Sequence, residues 1–302
     1  MTNFETASAE PPPPGVDAVV VPRTSDIGGF EVRRAIPTIP RSAVGPFVFL
    51  DEFGPTAFAI GEGLDVAPHP HIGLATVTYL LEGAIEHRDS LGSLKTITPG
   101  AVNWMSAGRG IAHSERTGAG DRGTAGRRLA GLQLWVALPR AHEDDAPFFA
   151  SHAASELPVV EDGAARARVV VGRAFGAASP VATLSDTLFV DLALDAGATV
   201  PLDTATEERA VYLVSGTVEI AGDRFEGPRL LLLHPGDGLS MRAETAARAV
   251  LLGGAALDGP RHVWWNFVSS SRERIEAAKA DWRAGRFPIV PGDDGYVPLP
   301  ER

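Results

Sequence analysis

Two pairs of potential metal ligands stand out in the first half of the sequence. His69 and His71 are separated by one residue, and so are His113 and Glu115. In an extended strand, residues two positions apart project to the same side, so each pair can present two ligand atoms to one ion. If the pairs lie on neighbouring strands, they face each other across about 5 Å. We therefore predict a single site for one divalent metal ion.

Three imidazoles and one carboxylate suit Fe, Mn, Co, Ni, Cu or Zn, and they leave a position for water, substrate or dioxygen. The chain has no cysteine, so disulfides, thiolate zinc sites and iron–sulfur clusters are excluded. One His-x-His pair alone would be weak support, because eight histidines in 302 residues sometimes fall two apart. The second pair favours metal ligands over structural histidines.

The remaining histidines are interpreted differently. His87 is predicted to be a structural histidine near a strand end, with a supporting contact to the metal site as the alternative. His142, His152, His234 and His262 fall in predicted linker, loop or domain-edge positions, and we interpret all four as structural or exposed.

Short β-branched and aromatic runs, separated by turns rich in Gly and Pro, must position these side chains. This pattern predicts an all-β sandwich or barrel with one C-terminal helix at about 272–284, capped within Ser269–Ser271. Residues 1–15 are polar and proline-rich, which predicts a flexible tail. The charged stretch 141–155 predicts a linker between a first domain, 16–140, and a second domain, 156–302.

The two halves share a similar order of strand and turn residues, which indicates duplication of one barrel. The sequence of Tyr79–Gly83 is matched by Tyr212–Gly216, and Thr98–Gly100 is matched by His234–Gly236. The second half has no His-x-His at the matching place, since Glu207–Arg209 precedes the tyrosine there. We therefore expect no metal in the second barrel.

Charge and hydropathy exclude several classes of protein. A net charge of −11 without a basic patch argues against direct nucleic-acid binding. The N-terminus lacks the basic and apolar regions of a secretory signal, and we find no run of about 18 apolar residues for a membrane span. We expect a cytoplasmic protein that does not bind membranes.

Several stretches resemble the pirin family of the cupin superfamily, and the resemblance covers nearly the whole chain. They are residues 34–37, 49–55, 68–73, 76–83, 103–115, 131–136 and 264–269. The resemblance implies two tandem jelly-roll barrels, with metal only in the first. It also implies that His69, His71, His113 and Glu115 bind one divalent transition metal, with Fe(II) favoured over Mn, Ni, Cu or Zn.

The resemblance further implies an oxidoreductase similar to quercetin 2,3-dioxygenase, acting with O2 on a small molecule, either quercetin or a related flavonol or enediol. Glu115 is then the candidate catalytic base. Phe53, Trp104, Met105 and Gln133 are candidate substrate-pocket residues, although apolar strand residues more often belong to a plain core.

Two other functions stay open at this point. One is a non-enzymatic regulator that senses metal or redox state and acts through protein–protein contacts, with partners the sequence does not identify. The other is a metal-dependent isomerase or hydrolase, since fold does not fix function. Ala75 and Ala137 stand where pirin-like chains often carry Glu and Asn, and the carboxylate ligand must come from Glu115. These differences affect pocket polarity and hence the substrate.

Overall fold

The computed structural model describes residues 15–26, 30–39, 41–122, 126–202 and 205–301. Residues 1–14, most of the predicted flexible tail, lie outside this part. Strands dominate the described residues, and their only α-helix is α1, Arg272–Arg283. The predicted all-β fold with a C-terminal helix is confirmed. In the part of the chain that the structure describes, no helix has the length and apolar composition to cross a membrane.

The first half contributes twelve strands and two single-turn 3₁₀ helices, Ala119–Asp121 and Arg140–His142. The strands are β1 Val16–Val20, β2 Arg23–Asp26, β3 Glu31–Ile36, β4 Phe47–Phe58, β5 Asp65–His71, β6 Leu74–Glu82, β7 Ile85–Asp89, β8 Leu94–Ile97, β9 Val102–Ser106, β10 Ile111–Arg116, β11 Arg127–Ala137 and β12 Phe148–His152.

The second half contributes the remaining strands before the helix. They are β13 Val159–Asp162, β14 Ala165–Val171, β15 Arg173–Ala174, β16 Ala177–Ala178, β17 Thr187–Leu194, β18 Thr199–Pro201, β19 Glu208–Ser215, β20 Thr217–Ile220, β21 Asp223–Glu226, β22 Arg229–Leu233, β23 Ser240–Ala243, β24 Ala247–Gly254, β25 His262–Trp264 and β26 Phe267–Ser269.

Each half is a jelly-roll barrel made of a seven-stranded sheet and a four-stranded sheet, both antiparallel. The first barrel has the orders β12-β9-β6-β11-β4-β3-β2 and β5-β10-β7-β8. The second has the orders β1-β22-β19-β24-β17-β14-β13 and β18-β23-β20-β21. The two plans match strand for strand, so the predicted duplication and the pair of tandem barrels are confirmed.

One part of the predicted match is correct and one is wrong. Tyr79 on β6 and Tyr212 on β19 occupy the same sheet position, and the turns after them contain Gly83 and Gly216, both with φ of 86°. By contrast, residues 98–100 precede β9, whereas residues 234–236 follow β22. Turn residues recur at many strand ends, so the Pro-Gly sequences matched in composition without matching in position.

The two seven-stranded sheets pack face to face and form a shared core between the barrels. Two tyrosines cross this core in opposite directions. Tyr79 of the first barrel donates to Asp191 of the second at 2.6 Å, and Tyr212 of the second donates to Glu52 of the first at 2.5 Å. Each buried carboxylate also accepts hydrogen bonds from an arginine. The barrels are therefore joined within an apolar interface by two reciprocal hydrogen bonds, Tyr79 to Asp191 and Tyr212 to Glu52, which we call the clamps.

The barrels also exchange edge strands. β1 was predicted within the first domain, yet it pairs with β22 of the second barrel. β12 falls within the predicted linker, yet it pairs with β9 of the first barrel. The domain boundaries 16–140 and 156–302 stay a prediction, but pairing assigns these two strands across them. Local sequence shows that a segment is extended and does not show which edge it joins.

The C-terminal helix packs on the first barrel close to the predicted ligands. Ser271, the last of the three serines predicted to supply the cap, caps it by accepting from the backbone N–H of Arg274 at 3.2 Å. Its buried face, Ile275, Ala278 and Trp282, belongs to one cluster with Ile72, which directly follows β5, and with residues of β10 and β26. The helix thus braces the strands that carry the histidines.

The segment after the helix returns along the same surface. The backbone N–H of Val297 donates to the carbonyl of Pro68 at 2.9 Å, one residue before His69. Asp293 forms an ion pair with Arg116 at 2.6 Å, one residue after Glu115. The C-terminal segment is therefore held against both ligand-bearing strands.

Candidate metal centre

The two predicted ligand pairs lie on neighbouring antiparallel strands. His69 and His71 are on β5, His113 and Glu115 are on β10, and His69 is the direct cross-strand partner of His113. A register irregularity between His113 and Glu115 follows this pairing. All four side chains are buried. The structure therefore brings together the residues that the i, i+2 spacing selected.

Three imidazoles converge on one point. His69, His71 and His113 each offer a ring nitrogen, and these nitrogens all lie within 4.8 Å of one another. The Nε2 atoms of His71 and His113 are 3.1 Å apart. Two nitrogens bound to one ion at about 2.1 Å and at right angles would be about 3 Å apart, so this spacing fits adjacent ligands on a transition metal.

Backbone carbonyls set the tautomers of the first two histidines. The Nδ1 of His69 lies 2.9 Å from the carbonyl of Ala67, and the Nδ1 of His71 lies 3.1 Å from the carbonyl of Asn266. A carbonyl can only accept, so each Nδ1 carries the proton and each Nε2 presents a lone pair. Such outer contacts are typical of metal-ligating histidines.

Burial keeps these imidazoles neutral. Removal from water lowers the pKa of His69 to about 4, and it lowers the pKa of His71 and His113 well below the ordinary value of 6.5. The neighbouring histidines add to this effect, because a second positive charge nearby is unfavourable. Neutral imidazole is the form that binds metals, so the site is ready to bind at neutral pH.

The fourth predicted ligand, Glu115, is linked to the three histidines through His113. Its carboxylate, His113 and His87 form a second group whose ligand atoms lie within 4.8 Å of one another. The Thr78 hydroxyl donates to Oε1 of Glu115 at 2.9 Å, and burial raises the pKa of Glu115. The two groups overlap at His113, so the four predicted ligands and His87 form one continuous polar cluster.

The sequence favours a structural role for His87, but the structure places His87 beside the predicted ligands. Its ring lies 5.2 Å from that of His113, between centroids, and its Nε2 is 3.0 Å from Asp89. The signal available in the sequence was the alternation of His87 and Asp89 on a strand, which puts both on one face. The missing information was that β7 is the other neighbour of β10.

A cavity of about 660 Å³ opens onto His69, His71, His113 and Glu115. This volume lies within the usual range for small-molecule sites, about 300–1,000 Å³. Its walls combine aromatic rings with a few polar groups. The aromatic residues are Phe49, Phe53, Trp135 and Trp265, and the polar residues include Arg34, Asp51 and Gln133.

Two of the four predicted pocket residues line this cavity, and two do not. Phe53 and Gln133 lie in its wall, and the Gln133 amide is 3.1 Å from the Thr78 hydroxyl. Trp104 faces the shared core between the barrels, because alternation along β9 turns it away from the first barrel's interior. Met105 packs in a separate small apolar cluster. Trp104 and Met105 therefore do not line this cavity, and the substrate-pocket residues stay a prediction.

One side of the cavity is a stacked and charged surface. The rings of Phe49 and Trp135 lie 4.0 Å apart at 13°, and the Arg34 guanidinium lies 4.5 Å from the Phe49 ring centre. Arg34 also donates two hydrogen bonds to Asp51, at 2.8 and 2.7 Å. Burial raises the pKa of Asp51 despite this pairing. A flat aromatic molecule with hydroxyl groups matches such a wall in both shape and polarity.

The chain is similar to known proteins along most of its length. The family described as Pirin matches residues 29–136, and the family described as Pirin C-terminal cupin domain matches residues 189–288. A pirin-like protein of Caulobacter vibrioides is 47% identical over 290 residues, which cover 95% of this chain and 100% of that protein.

Solved structures give the same picture. The structure of quercetin 2,3-dioxygenase from Acinetobacter baumannii is 32% identical, has a TM-score of 0.85, and covers 94% of this chain and 96% of that one. The structure of a bacterial pirin from Escherichia coli in complex with nickel(II) shares the fold at 19% identity, with a TM-score of 0.61 over 80% of this chain and 100% of that one.

Proposed function

The chain belongs to the pirin family, and from this premise we propose that it is a metal-dependent dioxygenase that cleaves quercetin or a related flavonol with O2. One observation carries the proposal. Three neutral imidazoles converge in the wall of a cavity that is also lined by aromatic rings, so a metal ion held there would face a bound planar molecule.

The proposed ligands are His69, His71, His113 and Glu115, and Fe(II) is the metal we favour, with Mn, Ni, Cu and Zn as the alternatives to test. Nitrogen and oxygen donors suit these ions, and a four-residue ligand set leaves room for exchangeable ligands. When bound, the ion would act as a Lewis acid that lowers the pKa of a coordinated hydroxyl and orients it, and iron would add reactivity toward dioxygen.

The cavity residues would bind and orient the flavonol. Phe53 and the stacked pair of Phe49 and Trp135 offer faces to its rings, while Gln133 and Arg34 offer hydrogen bonds to its oxygens. Positioning the reacting hydroxyl in this way would make its reaction effectively intramolecular and lower the entropic part of the barrier. Both atoms of O2 would then enter the product, with cleavage of the central ring and release of carbon monoxide.

Glu115 is the proposed catalytic base. Thr78 donates to Oε1, which leaves Oε2 to receive the proton of the flavonol hydroxyl. Burial raises the pKa of Glu115, and a carboxylate with a raised pKa is a better base near neutral pH. Glu115 would accept this proton only after loosening from the metal, so it would serve as ligand and as base in turn.

The test uses untagged protein purified without added metal. Bound metals are quantified by plasma mass spectrometry, and the protein is then reconstituted anaerobically with Fe(II) or with each alternative ion. Oxygen uptake and carbon monoxide release are measured with quercetin. His69→Ala removes a proposed ligand, and His142→Ala is the matched control, because His142 is partly exposed and is paired with Asp145 rather than with the predicted ligands.

We expect one equivalent of metal and oxygen uptake in the wild type and in His142→Ala, and loss of both in His69→Ala. Stoichiometric metal without turnover on flavonols would reject the dioxygenase and favour the regulatory alternative. Absence of bound metal under every reconstitution condition would reject the metal site itself.

A further inference from the structure

Two buried side chains, Asp89 and His87, connect a loop to the predicted ligand His113. On β7, Asp89 is the cross-strand partner of His113 and His87 is the partner of Glu115. Asp89 is fully buried, His87 is 2% exposed, and the His87 ring stacks on Phe149 with centroids 4.4 Å apart. These contacts leave His87 little freedom to rotate.

Asp89 accepts hydrogen bonds from both sides, and the side chains of His113, His87 and Asp89 form a series in which each donates to the next. Oδ1 of Asp89 accepts from the backbone N–H groups of Leu91 and Ser93, at 2.9 and 3.0 Å. Oδ2 of Asp89 lies 3.0 Å from Nε2 of His87, and Nδ1 of His87 lies 3.4 Å from Nδ1 of His113. Burial disfavours the charged form of Asp89, but hydrogen bonds from His87 and Ser93 hold its pKa below the ordinary value.

The direction follows from what each atom can do. The carboxylate only accepts, so Nε2 of His87 must carry a proton. A neutral imidazole has one N–H, so Nδ1 of His87 is an acceptor, and Nδ1 of His113 must donate to it. The proton of His113 is then on Nδ1, and its Nε2 presents a lone pair toward His71.

We propose that Asp89 and His87 are positioning residues that fix His113 in the tautomer able to bind metal. The inference rests on the metal site of the proposed function and adds two residues to it. In this proposal His87 plays for His113 the part that backbone carbonyls play for His69 and His71. The fold itself does not require a histidine here, because Ile220 occupies the corresponding position of the second barrel and pairs with Met241.

Asp89→Asn is the sharpest test, because it is isosteric and should reverse the direction of these hydrogen bonds. The carbonyl oxygen of the new amide must face the N–H groups of Leu91 and Ser93, so its NH2 group faces Nε2 of His87. Nε2 of His87 then accepts, Nδ1 of His87 donates to His113, and the proton of His113 moves to Nε2. The lone pair that would bind the metal is lost.

Two substitutions at position 87 form a matched pair. His87→Phe keeps an aromatic ring against Phe149 and removes the acceptor. His87→Asn puts an amide oxygen close to the place of Nδ1, so it can still accept from His113. A purely structural role for His87 would make the phenylalanine variant the better tolerated of the two, whereas the proposed role makes the asparagine variant the better one.

The first readout is Ni(II) affinity, measured by competition with a chelator in the full-length protein. We expect Asp89→Asn and His87→Phe to weaken binding by about 10–100-fold, the usual effect of losing an outer contact of a ligand, and His87→Asn to stay within about threefold of the wild type. Thermal unfolding of the metal-free proteins separates a loss of affinity from a loss of folding.

The second readout is the ¹⁵N spectrum of metal-free protein labelled at histidine, with His113→Ala used for assignment. The wild type should show His113 protonated at Nδ1, and Asp89→Asn should show it protonated at Nε2. An unchanged tautomer, or wild-type Ni(II) affinity in Asp89→Asn, would overturn the inference. If the wild type bound no metal at all, the proposed function would fail, while the spectrum would still decide whether Asp89 and His87 set the tautomer.

Discussion

The two barrels have the same strand plan and differ in what fills them. In the first barrel, seven polar side chains occupy positions in the interior or the cavity wall whose counterparts in the second barrel are buried and apolar. The pairs are Arg34 and Val169, Asp51 and Val190, Thr78 and Val211, His87 and Ile220, Asn103 and Leu231, Glu115 and Met241, and Gln133 and Leu251.

The interior of the second barrel favours stability, whereas the interior of the first barrel carries polar groups available for chemistry. The second barrel has a continuous apolar interior, which is the arrangement that contributes most to folding free energy. The first barrel keeps polar groups that cost stability, and the buried side-chain amide of Asn103 has no hydrogen-bond partner among the described protein atoms. One fold thus supports a barrel suited to chemistry beside a barrel suited to stability.

The largest expected effect comes from exchanging residues between matching positions of the two barrels. Met241→Glu would place an unpaired carboxylate in the apolar interior, and we expect the free energy of unfolding to fall by about 3–5 kcal/mol. Glu115→Met in metal-free protein should be neutral or stabilising, because it removes a buried carboxylate. Chemical denaturation at pH 7 measures both.

Met241→Leu is the control for the second barrel, since a volume-conserving apolar change should cost less than about 1.5 kcal/mol. A similar loss of stability in Met241→Glu and Glu115→Met would mean that the two interiors do not differ in the way their residues suggest.

The clamps between the barrels should behave alike even though the interiors differ. Tyr79→Phe and Tyr212→Phe each remove a hydrogen bond to a buried carboxylate, and we expect each to lower the free energy of unfolding by about 1.5–3 kcal/mol. Tyr296→Phe is the control, because Tyr296 is exposed. A cost confined to one of the two clamps would show that the barrels do not support each other equally.

The smallest effect concerns the C-terminal segment, which contacts the first barrel. The hydrogen bonds from Arg116 lower the pKa of Asp293 to about 2, from an ordinary value of 3.8. The folded state therefore holds this proton more weakly than the unfolded chain does. Because solvent screens this ion pair, it should contribute about 1 kcal/mol above pH 4, and this contribution should disappear as the pH falls toward 2.

The measurement compares wild type with Asp293→Asn by denaturation of metal-free protein from pH 6 downward. The difference in unfolding free energy should be constant down to about pH 4 and shrink below it. A difference that does not change with pH would show that the Asp293 charge does not hold the segment in place.

Much of this structure could be predicted from local sequence. The spacing of His69, His71, His113 and Glu115 selected residues that the fold brings together, because alternation along a strand is a local property. The helix was also predicted closely, because its Ser271 cap and its apolar face are encoded within about a dozen residues.

What could not be predicted depends on contacts between distant segments. The exchange of β1 and β12, the neighbourhood of His87, and the direction in which Trp104 and Met105 point are set by sheet order and register. A strand pattern specifies which residues share a face and does not specify which neighbour that face meets.

The exchanged edge strands give the molecule the architecture of a strand-swapped homodimer whose two copies have been joined into one polypeptide. In a true homodimer every substitution appears twice, so an apolar interior could not replace a polar one in only one copy. Joining the copies removes this constraint, because each half is then encoded separately. The contrast between a histidine-lined barrel and an aliphatic one is a form of asymmetry that a fused pair can inherit and a homodimer cannot.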